Sequence, residues 1–133
     1  MKRSVLVLAV LVSAVAFAAS AMTVDKLLKD KDKLDGKDVI VTGTVAEYKA
    51  HVSKAGNPYI TFKLKGASST ANVYLRGKLE GNAAPKDGDT VEVSGVYRKE
   101  KKVNAKFTSK DEIDASKADK KKFGVKITKR KAK

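Results

Sequence analysis

Three stretches of this chain alternate between apolar and polar residues, and that period of two restricts the fold more than any other feature. In Tyr59-Ile-Thr-Phe-Lys-Leu-Lys65, Ile60, Phe62 and Leu64 point one way while Tyr59, Thr61, Lys63 and Lys65 point the other. Asn72-Val-Tyr-Leu-Arg76 sets Val73 and Leu75 against Asn72, Tyr74 and Arg76, and Thr90–Tyr97 sets Val91 and Val93 inward. Successive strand side chains face opposite sides of a sheet, so each stretch predicts a half-buried strand. A strand with Val39, Val41 and Val45 on one face precedes them, and a fifth runs through Val103, Ala105 and Phe107. Gly43 and Gly95 interrupt the first and fourth strands and predict a bulge or sharp coil in each. Five short strands laid flat would leave two open edges and one bare face, so the pattern favours a small closed barrel. Its predicted core is Val39, Val41, Val45, Ile60, Phe62, Leu64, Val73, Leu75, Val91, Val93, Val96 and Phe107.

The strands do not begin at the N-terminus. Met1-Lys-Arg-Ser4, an apolar run from Val5 to Ala18 and Ala19-Ser-Ala21 form the three parts of a secretory signal. The run is short for a membrane span of about 20 residues, so residues 1–21 are predicted to be cleaved, leaving no stable span. The mature chain is then periplasmic or secreted. Residues 23–35 read as a short helix in which Thr23 caps, Val24, Leu27, Leu28 and Leu34 share a side, and Gly36 stops the run. The expected organisation is a signal at 1–21, the helix at 22–36, the barrel at 37–116 and a basic tail at 117–133.

Charge bears on function. The chain of 133 residues carries a formal net charge of +14. The tail holds nine basic residues and one acid, a net of +8, while residues 22–116 hold only +4. A basic tail attracts polyanions. Only Phe123–Thr128 within it reads as a strand, and the remainder reads as disordered until bound. There is no Cys and one His, which excludes disulfides, thiolate metal sites and a cysteine nucleophile. No phosphate loop, metal set or acid/base pair stands out, so an enzyme, a catalytic residue, a metal and a cofactor are all unexpected. Asp111, Glu112 and Asp114 read as charge balance among lysines, and His51 as a solvated loop residue.

Gly36–Val45, Ser53–Leu64 and Gly88–Tyr97 together resemble the OB-fold, more narrowly OB domains of the tRNA-anticodon-binding type found in tRNA synthetases and exonuclease VII. Lys54, Gly56, Pro58 and Tyr59 match the family's step into its second strand. The resemblance covers residues 36–110. It implies an all-β, five-stranded OB-fold barrel with a short N-terminal helix and a basic C-terminal tail. One departure is Gly77–Gly88, where the family usually has a helix and this sequence has room for one turn. A second resemblance, to OB-fold haem chaperones, fails because residues 109–133 lack the histidine those proteins use.

OB-folds bind ligands on the outer face of strands two and three, between the connections one–two and four–five. On this sequence that face carries Tyr59, Thr61, Lys63, Asn72, Tyr74 and Arg76. The first connection, 48–57, carries Tyr48, Lys49, His51 and Lys54, and the second is Arg98-Lys99-Glu100-Lys101-Lys102. Flat rings beside a cationic track suit single-stranded nucleic acid bound with little sequence preference. The candidate ligand-binding residues are therefore Tyr59, Lys63, Tyr74, Arg76, Lys49, Lys54, Arg98, Lys99, Lys101 and Lys102, and the partner is single-stranded DNA or RNA. The alternative is a periplasmic adaptor or stress protein that binds a protein, an envelope polymer, another polyanion or a small ligand.

Overall fold

A computed structural model describes residues 21–118 and 121–131. The predicted signal (save its last residue) and tail positions 119, 120, 132 and 133 lie outside the described residues. No helix among the described residues is long and apolar enough to cross a membrane.

The fold is all-β. It contains one seven-stranded sheet and two short helices. Strand β1 (Met22–Thr23) runs parallel to the start of the next strand, with Met22 opposite Val41. Helices α1 (Val24–Lys29) and α2 (Lys31–Leu34) follow, so the predicted single helix is broken at Asp30. Thr23 Oγ1 accepts from the Lys26 amide, which satisfies one of the unpaired N–H groups at the helix start. Gly36, at φ +83°, turns the chain out of the helices into the sheet. Val24 and Leu27 are fully buried against the sheet interior, and Leu28 and Leu34 pack beside them. The Asp25 carboxylate accepts from the Ser68 amide and from the Ser68 and Ser69 hydroxyls, tying the helix to a turn in the sheet.

The remaining strands are β2 (Asp38–Val52), β3 (Pro58–Lys65), β4 (Thr70–Arg76), β5 (Thr90–Asn104), β6 (Phe107–Asp114) and β7 (Gly124–Lys129). The order across the sheet is β1-β2-β3-β4-β6-β5-β7, and β2 also pairs with β5. Pairing therefore runs in a closed circuit, β2-β3-β4-β6-β5 and back to β2. All neighbours in it are antiparallel except β4 and β6, which are parallel. The short connection between β4 and β5 holds one 3-10 turn, Gly81–Ala83, as its glycines and proline lead one to expect.

Ten of the twelve predicted core residues are buried. The two exceptions, Val96 and Phe107, both lie beyond Gly95. The β2–β5 register passes both Gly43 and Gly95 without a shift, so neither glycine is a bulge. Both occupy inward positions too tight for a side chain: a Cβ at Gly95 would lie 2.2 Å from the Asp114 carbonyl oxygen, and one at Gly43 would lie 2.8 Å from Leu64. Alternation thus continues unbroken through Gly95, which puts Tyr97 fully inside and leaves Val96 partly exposed. The true bulge in β2 falls between Ala46 and Lys49, where Glu47 adopts φ +53°. Phe107 is 57% exposed, because β5 continues to Asn104 and the expected fifth strand is in fact a hairpin turn leading into β6. Val24, Leu27, Ala71, Tyr97, Ile113 and Ala115 complete the core.

The tail is more ordered than its composition implies. β7 pairs with β5 along Thr90–Ser94, and its Val125 and Ile127 pack on the core. Two of its cations serve as structural partners. Arg130 binds Asp89 at 3.0 Å, and Lys121 binds Asp38 at 2.6 Å.

Candidate nucleic-acid interface

The two strand pairs that carry the candidate residues are longer than alternation alone marks. β2 and β5 each run 15 residues. Arg98–Lys102 on β5 carries no apolar residue and reads as a loop, and Tyr48–Val52 on β2 reads as one with the turn residues that follow it. The stretches 48–52 and 98–102 are nevertheless strands, not loops, and each forms one side of an antiparallel hairpin. The β2–β3 and β5–β6 hairpins bound an open groove of about 930 Å³ whose floor is the outer face of β3 and β4.

Cross-strand register sets the rings in a row over that floor. His51 lies opposite Tyr59 on β2 and β3, and Thr61 lies opposite Tyr74 on β3 and β4. Side chains that share a face across neighbouring strands come into contact. The His51 and Tyr59 rings are 4.7 Å apart and inclined by only 14°. Tyr59 and Tyr74 follow at 5.7 Å and 35°. Lys101 Nζ sits 5.0 Å from the Tyr74 ring centroid, a cation–π arrangement that closes the row. His51 Nε2 hydrogen-bonds with Thr61 Oγ1 at 2.8 Å, which fixes the imidazole plane against Tyr59. His51 is thus a partly buried member of the row and not a solvated loop residue.

The polar residues of the floor are mostly committed to one another. Lys63 Nζ donates to Asn72 Oδ1 at 2.9 Å, and Asn72 Nδ2 donates to the Lys110 carbonyl at 2.8 Å. Lys101 Nζ also donates to Glu112 Oε1 at 3.1 Å. Lys49, Lys102 and Lys110 line the groove, are exposed, and form no ion pair among the described residues.

Six of the ten candidates converge here: Tyr59, Lys63, Tyr74, Lys49, Lys101 and Lys102. The other four do not. Lys54 lies in the turn between β2 and β3, and Arg76 lies at the end of β4 beside a second, mostly apolar hollow. Arg98 is exposed on β5 outside the groove lining. Lys99 faces the helices, where its ammonium pairs with Asp32 at 2.7 Å and its amide donates to Asp35. The Asp32 hydrogen bond and charge hold the Lys99 ammonium above the usual lysine range.

Tyr48, placed with the first connection by its sequence position, instead packs on the core, stacked 6.0 Å from Phe62. Burial raises its phenol above the ordinary tyrosine range. The acids of β6 are also more than charge balance. Asp111, at φ +48°, accepts a 2.6 Å hydrogen bond from the buried Tyr97 hydroxyl. Burial and then that contact push the Tyr97 phenol well above the ordinary range. Glu112 is buried in the groove floor. Sequence reasoning omitted His51, Glu112 and Phe107 from the site. Phe107 carried no distinguishing signal in the sequence, since the buried Phe62 has lysines beside it as well.

No protein-family model matches the chain, and no curated protein is similar enough to match it.

Proposed function

We propose that the chain is an exported OB-fold barrel that binds single-stranded nucleic acid, with stacking on the Tyr59–Tyr74 row and phosphates taken by the groove lysines. The fold part of this reading rests on topology. If the strands of the closed circuit are numbered one to five in chain order, their spatial order is 1-2-3-5-4, with strands three and five parallel. The groove then lies on the face of strands two and three, between connections one–two and four–five, where OB-folds take ligands. Export rests on the N-terminal sequence, with its basic start, apolar run and small-residue site.

The observation that carries the function is the row itself. His51 stacks on Tyr59, Tyr59 tilts against Tyr74, and Lys101 sits over the Tyr74 ring at the end of the row, while Lys49, Lys102 and Lys110 stand on the walls. Every base has a π face, so a ring platform within a cationic groove accepts any sequence.

Fluorescence anisotropy of a labelled single-stranded oligonucleotide over a salt series tests the reading. Three phosphate contacts predict a slope of log K against log salt of about −2. Each stacked base is worth about 1–3 kcal/mol, so Tyr74→Ala weakens binding by roughly fivefold to a hundredfold. Unaltered binding after Tyr59→Ala and Tyr74→Ala together rules out stacking. If duplex DNA or heparin competes as well as the single strand, the groove is a general polyanion site instead.

A further inference from the structure

Two acids line the groove, where a binder of polyanions would be expected to hold none: Glu47 is exposed at the β2 bulge, and Glu112 is buried. Glu112 sits on β6 opposite Asn72 of β4, and its side chain is only 8% exposed. Its Oε1 accepts from Lys101, while Oε2 has no donor among the described residues. A buried carboxylate oxygen left without a donor is costly, and an arrangement that keeps one has unused accepting capacity. The neighbouring polar groups have less to offer. Asn72 is engaged through both its oxygen and its nitrogen, and Lys63 is engaged with it. Lys101 divides its ammonium between Glu112 and the Tyr74 face.

A carboxylate accepts and never donates, so it selects among bases by their donors. Thymine and uracil offer one N–H flanked by two carbonyls, which repel it. Adenine and cytosine each offer an amino group beside a ring nitrogen acceptor. Guanine alone offers two adjacent donors, N1–H and the N2 amine, which match the two oxygens of a carboxylate.

Building on the single-strand reading, we infer that Glu112 is a specificity-determining residue that makes one position of the groove prefer guanine. The lysines and rings bind any strand, and Glu112 reads the edge of the base that stacks on Tyr74. The preference is confined to this one subsite.

The test uses three labelled oligonucleotides on the unaltered chain: oligothymidylate, the same strand with one central guanine, and the same strand with inosine there. Inosine keeps N1–H and lacks the N2 amine. The guanine strand is expected to bind roughly fivefold to a hundredfold tighter than oligothymidylate, with inosine losing most of that gain. Glu112→Gln is expected to bring the guanine-to-thymine ratio near one. Equal binding of guanine and thymine strands overturns the inference and leaves the groove reading standing. Inosine equal to guanine overturns the two-donor contact. A full guanine preference in Glu112→Gln overturns the assignment to Glu112. Absence of binding by all three at low salt overturns the groove reading and the inference with it. The inosine comparison needs no variant, so it decides even if Glu112→Gln folds poorly.

Discussion

At the scale of single residues, two positions show how burial and residue type come apart. Gly95 carries no side chain, yet the β5–β6 pairing depends on its having none: a Cβ there would press on the Asp114 backbone. Backbone cannot rotate away as a flexible side chain can, so Gly95→Ala is expected to cost more than about 3 kcal/mol, read from denaturant unfolding. Phe107 is the opposite case, a large apolar residue that is mostly exposed. Phe107→Ser is expected to leave stability within about 0.5 kcal/mol of the parent, and a larger loss would return it to the core. These two positions also explain where the sequence misled. A glycine leaves no mark on an apolar/polar pattern, so the inward slot at position 95 was invisible. The pattern then favours Val96 as the inward residue over Tyr97. Ile60, Phe62 and Leu64, by contrast, alternate with polar neighbours without interruption, and all three are buried as expected.

Among the elements, the C-terminal strand is placed as its sequence reads, Gly124–Lys129 against the expected Phe123–Thr128, but the roles of its cations are not legible. The basic residues around that strand read as free, because the pattern does not reveal which cations have acids waiting elsewhere in the fold. Asp89 is such an acid. It is 2% exposed, and it accepts from the Lys131 and Lys86 amides and from Arg130. Arg130 reaches on to the Asn82 and Ala84 carbonyls, so one guanidinium fastens the end of β7 to the turn before β5. The two amides, and then Arg130, hold the Asp89 carboxyl below the usual carboxylate range. A carboxylate with a depressed folded pKa stabilises the fold above its unfolded value of 3.8 and loses that contribution as pH falls through the folded value. Thermal unfolding followed from neutral pH to below pH of about 4 should therefore show stability falling at the acid end. Asp89→Asn should be less stable at neutral pH and show a shallower acid fall. An unchanged acid profile in Asp89→Asn would mean that β7 is held by Val125 and Ile127 packing alone. The hairpin arms were hidden for a different reason. Residues 98–102 carry no apolar side chain to mark them as a strand, and in 48–52 the alternation of Tyr48, Ala50 and Val52 is put out of step with the Val39–Val45 face by the bulge between Ala46 and Lys49. The ring row on β3 and β4 was legible because those strands are packed on one side. Its continuation to His51 was not, because it depends on the β2–β3 register.

For the whole molecule, the question is whether the +14 charge acts as a diffuse field or through a located site. The two make different predictions because fields between exposed charges fade over about 10 Å at 0.1 M salt. Lys49, Lys102 and Lys110 line the groove, while Lys122, Lys126 and Lys129 belong to the tail segment, and all six are exposed. Changing either trio to glutamine removes the same charge from the same molecule. If the groove is the site, the first trio loses the phosphate contacts themselves, and the slope of log K against log salt should flatten by about 2. The second trio should leave that slope in place and slow association at low salt, since distant cations steer a ligand without touching it. Anisotropy titrations and stopped-flow association on the two variants measure both quantities. Equal losses of slope from the two trios would show that the strand follows the charge of the whole surface, and the ring row would then have no privileged place in binding.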